Sequence, residues 1–337
     1  MKYKLLSIEN KAMINIGDYV QALAAAQFLP QVDGFVNREC LSDYDGDECK
    51  VIMNGWYMHD PTKWPPGEKI NPLFVALHIN KLASEQMLQE KGRTYLKKHE
   101  PIGCRDYHTR DLLQENGIES YFSGCLTLTL GRKYRSVRHT DKVYFVDPYI
   151  PREESFALFT KDLIALFFSP LLTYHLSHQL YLSPSKLINI IRTARFVRLY
   201  SRIFTKETLR NATYISQENK YFATLDNNER LNKAELLIKE YAQASFVVTK
   251  RIHCALPCLG LETPVYFTEN ALDNEVSSCR FGGIKELFNR ITVFPDGIET
   301  EFERKGKLSN MNIVMNKDTW RPLAATLTQR CIKFILS

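Results

Sequence analysis

Short apolar, β-branched runs recur along the chain, each leading through a turn into a stretch whose apolar residues keep helical spacing. This alternation predicts βα units assembled into parallel sheets, an α/β fold. Strands are expected over residues 3–8, 51–54, 74–79, 118–122, 143–147, 213–217, 245–249, 264–267 and 291–294. Helices are expected from Tyr19 behind Asp18 as N-cap, over 83–97 and 107–115, over 229–243 behind Asn228, up to Asn289 and over 319–336. The stretch 155–181 is strongly apolar and interrupted by Pro170, which predicts a buried pair of helices, each too short to cross a bilayer. Over 186–210, Arg192, Arg195, Arg198 and Arg202 recur every three or four residues and form one positive helical stripe.

The run 244–268 is the most informative. Residues 245–249 read as a strand buried on both faces, and Pro264 opens another. Pro257 is tolerated in the first turn of a helix, so the helix between them is expected to begin no earlier than His253, with Gly260 ending it. Lys250, Arg251 and His253 then fall where a strand's carboxyl end meets a helix N-terminus, the place where parallel sheets bind ligands and where backbone amides favour anions. A phosphate or carboxylate site is expected there. The competing explanation is a solvated basic turn with a structural histidine.

Three further segments repeat this grammar. Asn15-Ile16-Gly17-Asp18 leads from the first strand into a helix carrying Gln21, so Asn15, Gly17, Asp18 and Gln21 are candidates to bind a substrate. Arg105 ends a short strand, with a local Asp106 ion pair or helix cap as its alternative role, and Ser123, Cys125 and Thr127 follow at the next strand end. Trp56 and Trp64 flank a Pro-rich loop and are either flat platforms for a sugar or a packed plug.

These segments, Asn15 to Gln21, Gly103-Cys104-Arg105-Asp106, Gly124-Cys125-Leu126-Thr127 and above all Lys250-Arg251-Ile252-His253-Cys254-Ala255-Leu256-Pro257, resemble those of the polysaccharide pyruvyl transferases. The resemblance implies two Rossmann-like domains facing a cleft, as in one large glycosyltransferase class (GT-B-like), with the C-terminal helix crossing back. It implies domains at 1–139 (acceptor side) and 140–318 (donor side), a terminal helix at 319–337 and the basic loop 131–139 as linker. It also implies phosphoenolpyruvate as co-substrate, no other cofactor, and ketal formation on a sugar of a cell-surface polysaccharide or lipid-linked precursor. His253 would be catalytic, with Arg251, Lys250 and Arg105 around the donor, and Asn15, Gly17, Asp18, Gln21, Trp56, Ser123, Cys125 and Thr127 towards the acceptor. One departure stands out: Asp147-Pro148 occupies a place where some members carry a donor-binding arginine. The alternatives are a glycosyltransferase using a nucleotide sugar, and an anion- or sugar-binding homologue without chemistry.

Composition narrows the field. The 337 residues are enough for two domains, and 44 Lys and Arg against 38 Asp and Glu give a net charge of only +6, unlike a nucleic-acid binder. Eight cysteines without a paired framework read as reduced thiols, and Cys254 and Cys258 lack the partners of a zinc site. The amino-terminal residues show no signal-peptide core, so a cytoplasmic enzyme is expected. The stripe Arg192, Arg195, Arg198 and Arg202 has two readings, a solvated helix face or peripheral contact with the inner membrane surface.

Overall fold

Two six-stranded sheets carry the chain, and each half of the sequence builds one of them. The computed structural model describes residues 1–9, 12–138, 140–152, 155–271 and 281–337. The first half runs β1 (Lys2–Ser7), β2 (Ile14–Asn15), α1 (Ile16–Ala26), β3 (Phe35–Asn37), β4 (Cys49–Tyr57) and β5 (Ile70–Ile79). It continues through α2 (Ser84–Met87), α3 (Glu90–Lys97), β6 (Ile102–Cys104), α4 (Tyr107–Glu115), β7 (Ser120–Phe122) and α5 (Gly131–Tyr134). The second half begins with β8 (Val143–Val146), α6 (Phe156–Phe168), α7 (Pro170–Ser177), α8 (Lys186–Tyr200), α9 (Lys206–Asn211), β9 (Thr213–Ile215) and β10 (Glu218–Asn219). It ends with α10 (Asn227–Gln243), β11 (Phe246–Thr249), α11 (Ile252–Gly260), β12 (Val265–Asn270), β13 (Asn289–Val293), β14 (Ile298–Thr300) and α12 (Arg321–Leu336).

The first sheet has the order β3-β1-β4-β5-β6-β7 and is parallel throughout. The second has the order β14-β13-β12-β11-β8-β9, parallel except for β14. In each, the chain builds outward on one side and then reverses: between β1 and β4 in the first sheet, and between β8 and β11 in the second. Such reversals leave a crevice at the carboxyl ends of the strands. The mixed α/β architecture expected from the alternating pattern is therefore present.

Two devices join the halves. β2 pairs antiparallel with β10, setting Asn15 opposite Glu218, and the amide of Ile16 donates to the carbonyl of Gln217 at 2.9 Å. The largest apolar core draws on both halves: Ile16, Val20 and Leu23 from α1, Leu126 and Leu128, Tyr144 and Val247, Leu256 and Leu259 from α11, and Leu327 and Cys331 from α12. Small residues let the elements approach closely, since a Cβ on Gly260 would lie 2.3 Å from the carbonyl oxygen of Leu128. Gly260 therefore serves packing, as the last residue of α11, rather than a left-handed cap. α12 returns to the first half, where Lys50 Nζ donates to the carbonyls of Phe334 and Ile335 at the helix C-terminus, the end that favours a cation.

Several expectations need correction. Asn15, not Asp18, caps α1, its side chain accepting from the amide of Gly17, so the helix starts at Ile16. Asp226 rather than Asn228 caps α10, through a capping box with Glu229. The single helix expected over 83–97 is two, α2 and α3, and Gly92 of α3 packs on the carbonyl of Met87 so closely that a Cβ there would lie 1.9 Å from its oxygen. The helix expected to reach Asn289 is one 3-10 turn, Lys285–Leu287, and Asn289 opens a strand. The basic segment expected as an interdomain loop begins as a helical turn, Gly131–Tyr134, with Tyr134 buried, while His139 and Arg280 lie outside the described residues.

Candidate active site

At the meeting of the two strand-end crevices lies a cavity of about 480 Å³, within the usual range for a small-molecule site. Its wall is assembled from strand ends: Ile8 after β1, Arg38 after β3, Trp56 in β4, Arg105 after β6, and Lys250 and Arg251 after β11. Asn15 and Asp18 of the α1 N-terminus, Glu218 of β10 and His253 of α11 complete it. Two helix N-termini thus converge on one space, and Arg251, the N-cap of α11, makes no side-chain capping bond.

His253 is nearly buried, at 8% exposure, in the first turn of α11. The helix begins one residue earlier than expected and holds Pro257 in its interior. Pro257 has no amide to donate to the carbonyl four residues back, which is that of His253, so the turn bearing the imidazole lacks one helical bond. Gly17 packs directly on this turn. A Cβ at Gly17 would sit 2.9 Å from the Cβ of His253 and 3.0 Å from Asn15 Oδ1, closer than real side chains approach. Gly17→Ala is accordingly expected to cost about 1–3 kcal/mol, as overpacking does. It should also lower turnover more than its loss of stability explains; a melt combined with steady-state kinetics measures both.

Arg105 is wholly enclosed, at 2% exposure, yet its Nε has no hydrogen-bond acceptor among the described residues. Burial lowers its pKa, opposed by Asp106, whose Oδ2 lies 3.7 Å away. Asp106 does both things proposed for it as alternatives: it caps α4 through the amide of Thr109 at 2.9 Å and stands beside Arg105. It also accepts from His78 Nδ1 at 2.6 Å. Burial, reinforced by Arg105, brings the His78 imidazole down to about 4, so it is neutral at pH 7 and its Nδ1 carries the proton.

Arg251 is held by two carboxylates, with Nε donating to Asp147 Oδ2 at 2.8 Å and Nη2 to Glu218 Oε2 at 3.0 Å. Burial works against its charge, but Asp147 and Glu218 outweigh it and raise the pKa above that of a free arginine. Asp147 also accepts from the amide of Gln217 at 3.0 Å and adopts φ 42°, a left-handed conformation that aspartate tolerates better than most residues. The residue standing where an arginine was expected is therefore the anchor of Arg251. Lys250 reaches solvent at the cavity mouth, but the protein packed around it disfavours the ammonium and Arg251 and Arg152 add to the effect, so its pKa falls below that of free lysine.

The remaining expected residues divide. Trp56 lines the cavity with the Arg38 guanidinium 5.6 Å from its ring centre, whereas Trp64 is packed among Tyr57, Phe74 and Tyr95. Asp18 lines the cavity and pairs with Arg38 at 3.4 Å. Gln21 does not line it: its Nε2 donates to Asp18 and its backbone carbonyl accepts from Asn54 Nδ2. Ser123, Cys125 and Thr127 are likewise off the wall and buried. The Ser123 hydroxyl donates to the carbonyls of Cys104 and Gly124, and that of Thr127 to Cys125 Sγ, whose thiol burial pushes up. The structure thus places these three away from the cavity wall, bonded to their own chain segment. The sequence reading missed Arg38, His59, Gln217 and Glu218; only Arg38, directly behind the short run Phe35-Val36-Asn37, carried a signal, that of a cation at a strand's carboxyl end.

The positive helix stripe is also corrected. Arg195 is buried on Asp162 at 2.8 Å and the carbonyl of Pro151, and Arg198 bridges Asp162 at 3.0 Å and Asp296 at 2.8 Å. Arg192 donates to the carbonyl of Leu182 and Arg202 to that of Asp296. Arg192, Arg195 and Arg198 are thus spent on contacts within the fold, and Arg202 alone of the four is exposed.

Parallel sheets with a cavity at their strand ends, lined by Arg38, Arg105, Lys250 and Arg251 beside two helix N-termini, are the setting in which α/β proteins place a ligand. The family model for polysaccharide pyruvyl transferase matches residues 15–271, most of the chain, and the protein belongs to that family of transferases. Comparison with curated proteins and with solved structures finds no match.

Proposed function

We propose that this chain transfers the pyruvyl group of phosphoenolpyruvate onto two hydroxyls of one sugar in a cell-surface polysaccharide or its lipid-linked precursor, in a two-domain, GT-B-like arrangement. The observation that carries the proposal is Arg105, a buried guanidinium with an unused Nε on the wall of the cavity that also holds His253. Burying a charge is costly, and a small dianion supplies the acceptors that would compensate it.

In this reading, Arg105 and the amide end of α11 receive one anionic group of the donor and Lys250 the other. Arg251, pinned between Asp147 and Glu218, fixes the strand end and adds its remaining donor. Trp56, stacked with Arg38, and Asp18 face the sugar. His253 delivers a proton to the methylene carbon, which becomes the methyl group, and leaves a cation at C2 for the first hydroxyl to attack. The second hydroxyl then attacks C2, the C–O bond to phosphate breaks and the ketal closes. Two hydroxyl protons are released, one replacing that given to carbon and one leaving with phosphate.

A thermal-shift comparison tests the donor. Phosphoenolpyruvate at about a hundredfold above its Kd is expected to stabilise the chain by about 2.7 kcal/mol, a rise of a few degrees, while nucleotide sugars leave Tm unchanged. Stabilisation by a nucleotide sugar alone points instead to glycosyl transfer. Stabilisation by phosphoenolpyruvate with no phosphate release under any acceptor points to a binding protein.

A further inference from the structure

α6 is turned inside out. The side chains it buries are Leu158 and Asp162, the latter clamped by Arg195 and Arg198 of α8. Its outward stripe is Phe156, Phe159, Leu163 and Phe167, at spacings of three and four residues, with Phe156 at 87% and Phe167 at 79% exposure. Leu171 and Tyr174 on α7 continue the same exposed surface past the bend at Ser169. The expectation that this helical pair is buried is therefore reversed: its carboxylate faces in and its phenylalanines face out. An apolar face of this size on a folded chain marks a surface with an occupant.

Charge indicates which occupant. Apart from the internally bonded Arg192, Arg195 and Arg198, residues 155–210 expose Lys161, Lys186, Arg202, Lys206 and Arg210 against one exposed acid, Glu207. At the bend, Lys206 and Arg210 join Phe168, Pro170 and Leu171 around a groove of about 580 Å³, with Lys206 Nζ 2.8 Å from the Ser169 hydroxyl. Apolar side chains beside exposed cations match acyl chains beside anionic headgroups. α6 and α7 are together apolar enough for a span but are bent by 104°, and neither is long enough to cross alone, so they suit the interfacial plane.

We propose that the face formed by α6 and α7 docks on an anionic lipid bilayer, the phenylalanine stripe entering the acyl boundary and Lys206 and Arg210 meeting headgroup phosphates. Tyr181, exposed beyond the C-terminus of α7, also lines a second cavity that shares Lys250 and Arg251 with the candidate active site.

Flotation of the full chain with vesicles tests this. It should float with vesicles of phosphatidylcholine and phosphatidylglycerol, and less with phosphatidylcholine alone. A Phe167→Glu, Leu171→Glu double variant, altered only at exposed positions, should keep its melting temperature and partition at least tenfold less. Lys206→Glu should weaken binding to the anionic vesicles about tenfold. Failure of the parent chain to float with either vesicle overturns the proposal. So does a dimer in light scattering that Phe167→Glu splits while no vesicle binding occurs.

Discussion

Replacing His253 by alanine is expected to lower phosphoenolpyruvate-dependent phosphate release by about 10²–10⁴-fold, the usual contribution of a positioned general acid or base. The group is held from three directions: by the first turn of α11, by Gly17 packed against its Cβ, and by the strand end whose arginine is tied to Asp147 and Glu218. Alanine suits a helix, and the other partners of α11 in the core remain, so the melting temperature should change little compared with the loss of rate. The donor's anionic groups are assigned to Arg105, Lys250 and the helix amides, so the thermal shift from phosphoenolpyruvate should survive the substitution. Near-parental turnover in His253→Ala removes His253 from the chemistry. Loss of the thermal shift together with the rate assigns it to binding.

The parts of this site that could be read from the sequence are those made by local order. A β-branched run followed by Lys250-Arg251-Ile252-His253 announces a strand end and a helix start whatever surrounds it, and Arg105 behind Ile102-Gly103-Cys104 does the same. Glu218 and Gln217 could not be found this way. They enter the cavity because β10 pairs with β2, some two hundred residues earlier, and nothing in a two-residue strand specifies its partner. Asp147 was noticed as a departure from a pattern, but its bond to Arg251 crosses 104 positions. Helix stripes were legible as stripes and misread in direction. Periodicity shows that α6 and α8 each have two faces; it was the meeting of Asp162 with Arg195 and Arg198 that turned the charged faces inward. Ser123 and Thr127 lie off the cavity wall for a related reason: short hydroxyl side chains at a strand end bond to neighbouring groups of their own chain as readily as to a substrate.

The second large effect concerns the enclosed trio His78, Arg105 and Asp106. Asp106→Asn keeps the capacity to cap α4 but removes the carboxylate beside a wholly buried guanidinium. Breaking such a pair on one side costs about 3–5 kcal/mol, because the remaining charge is uncompensated. Adding Arg105→Met in the same chain should recover most of that loss, since no charge then remains to be buried, while the thermal shift from phosphoenolpyruvate is lost with the guanidinium. Denaturant melts of the parent, single and double variants measure the first statement, and ligand melts the second. Recovery of donor binding in the double variant would sink the assignment of Arg105. The trio also makes stability fall in acid. His78 titrates near 6.5 when unfolded but only at about 4 when folded, so the unfolded chain binds the extra proton between those values and is favoured as pH falls from 6.5 to 4. Asp106, whose pKa burial pushes up but the contacts with His78 and Arg105 bring below the ordinary value, adds a loss of the same sign at still lower pH. A His78→Gln chain lacks the titrating imidazole, so its melting temperature should fall less steeply across that window. Equal slopes for parent and variant would show that His78 is charged in the folded enzyme.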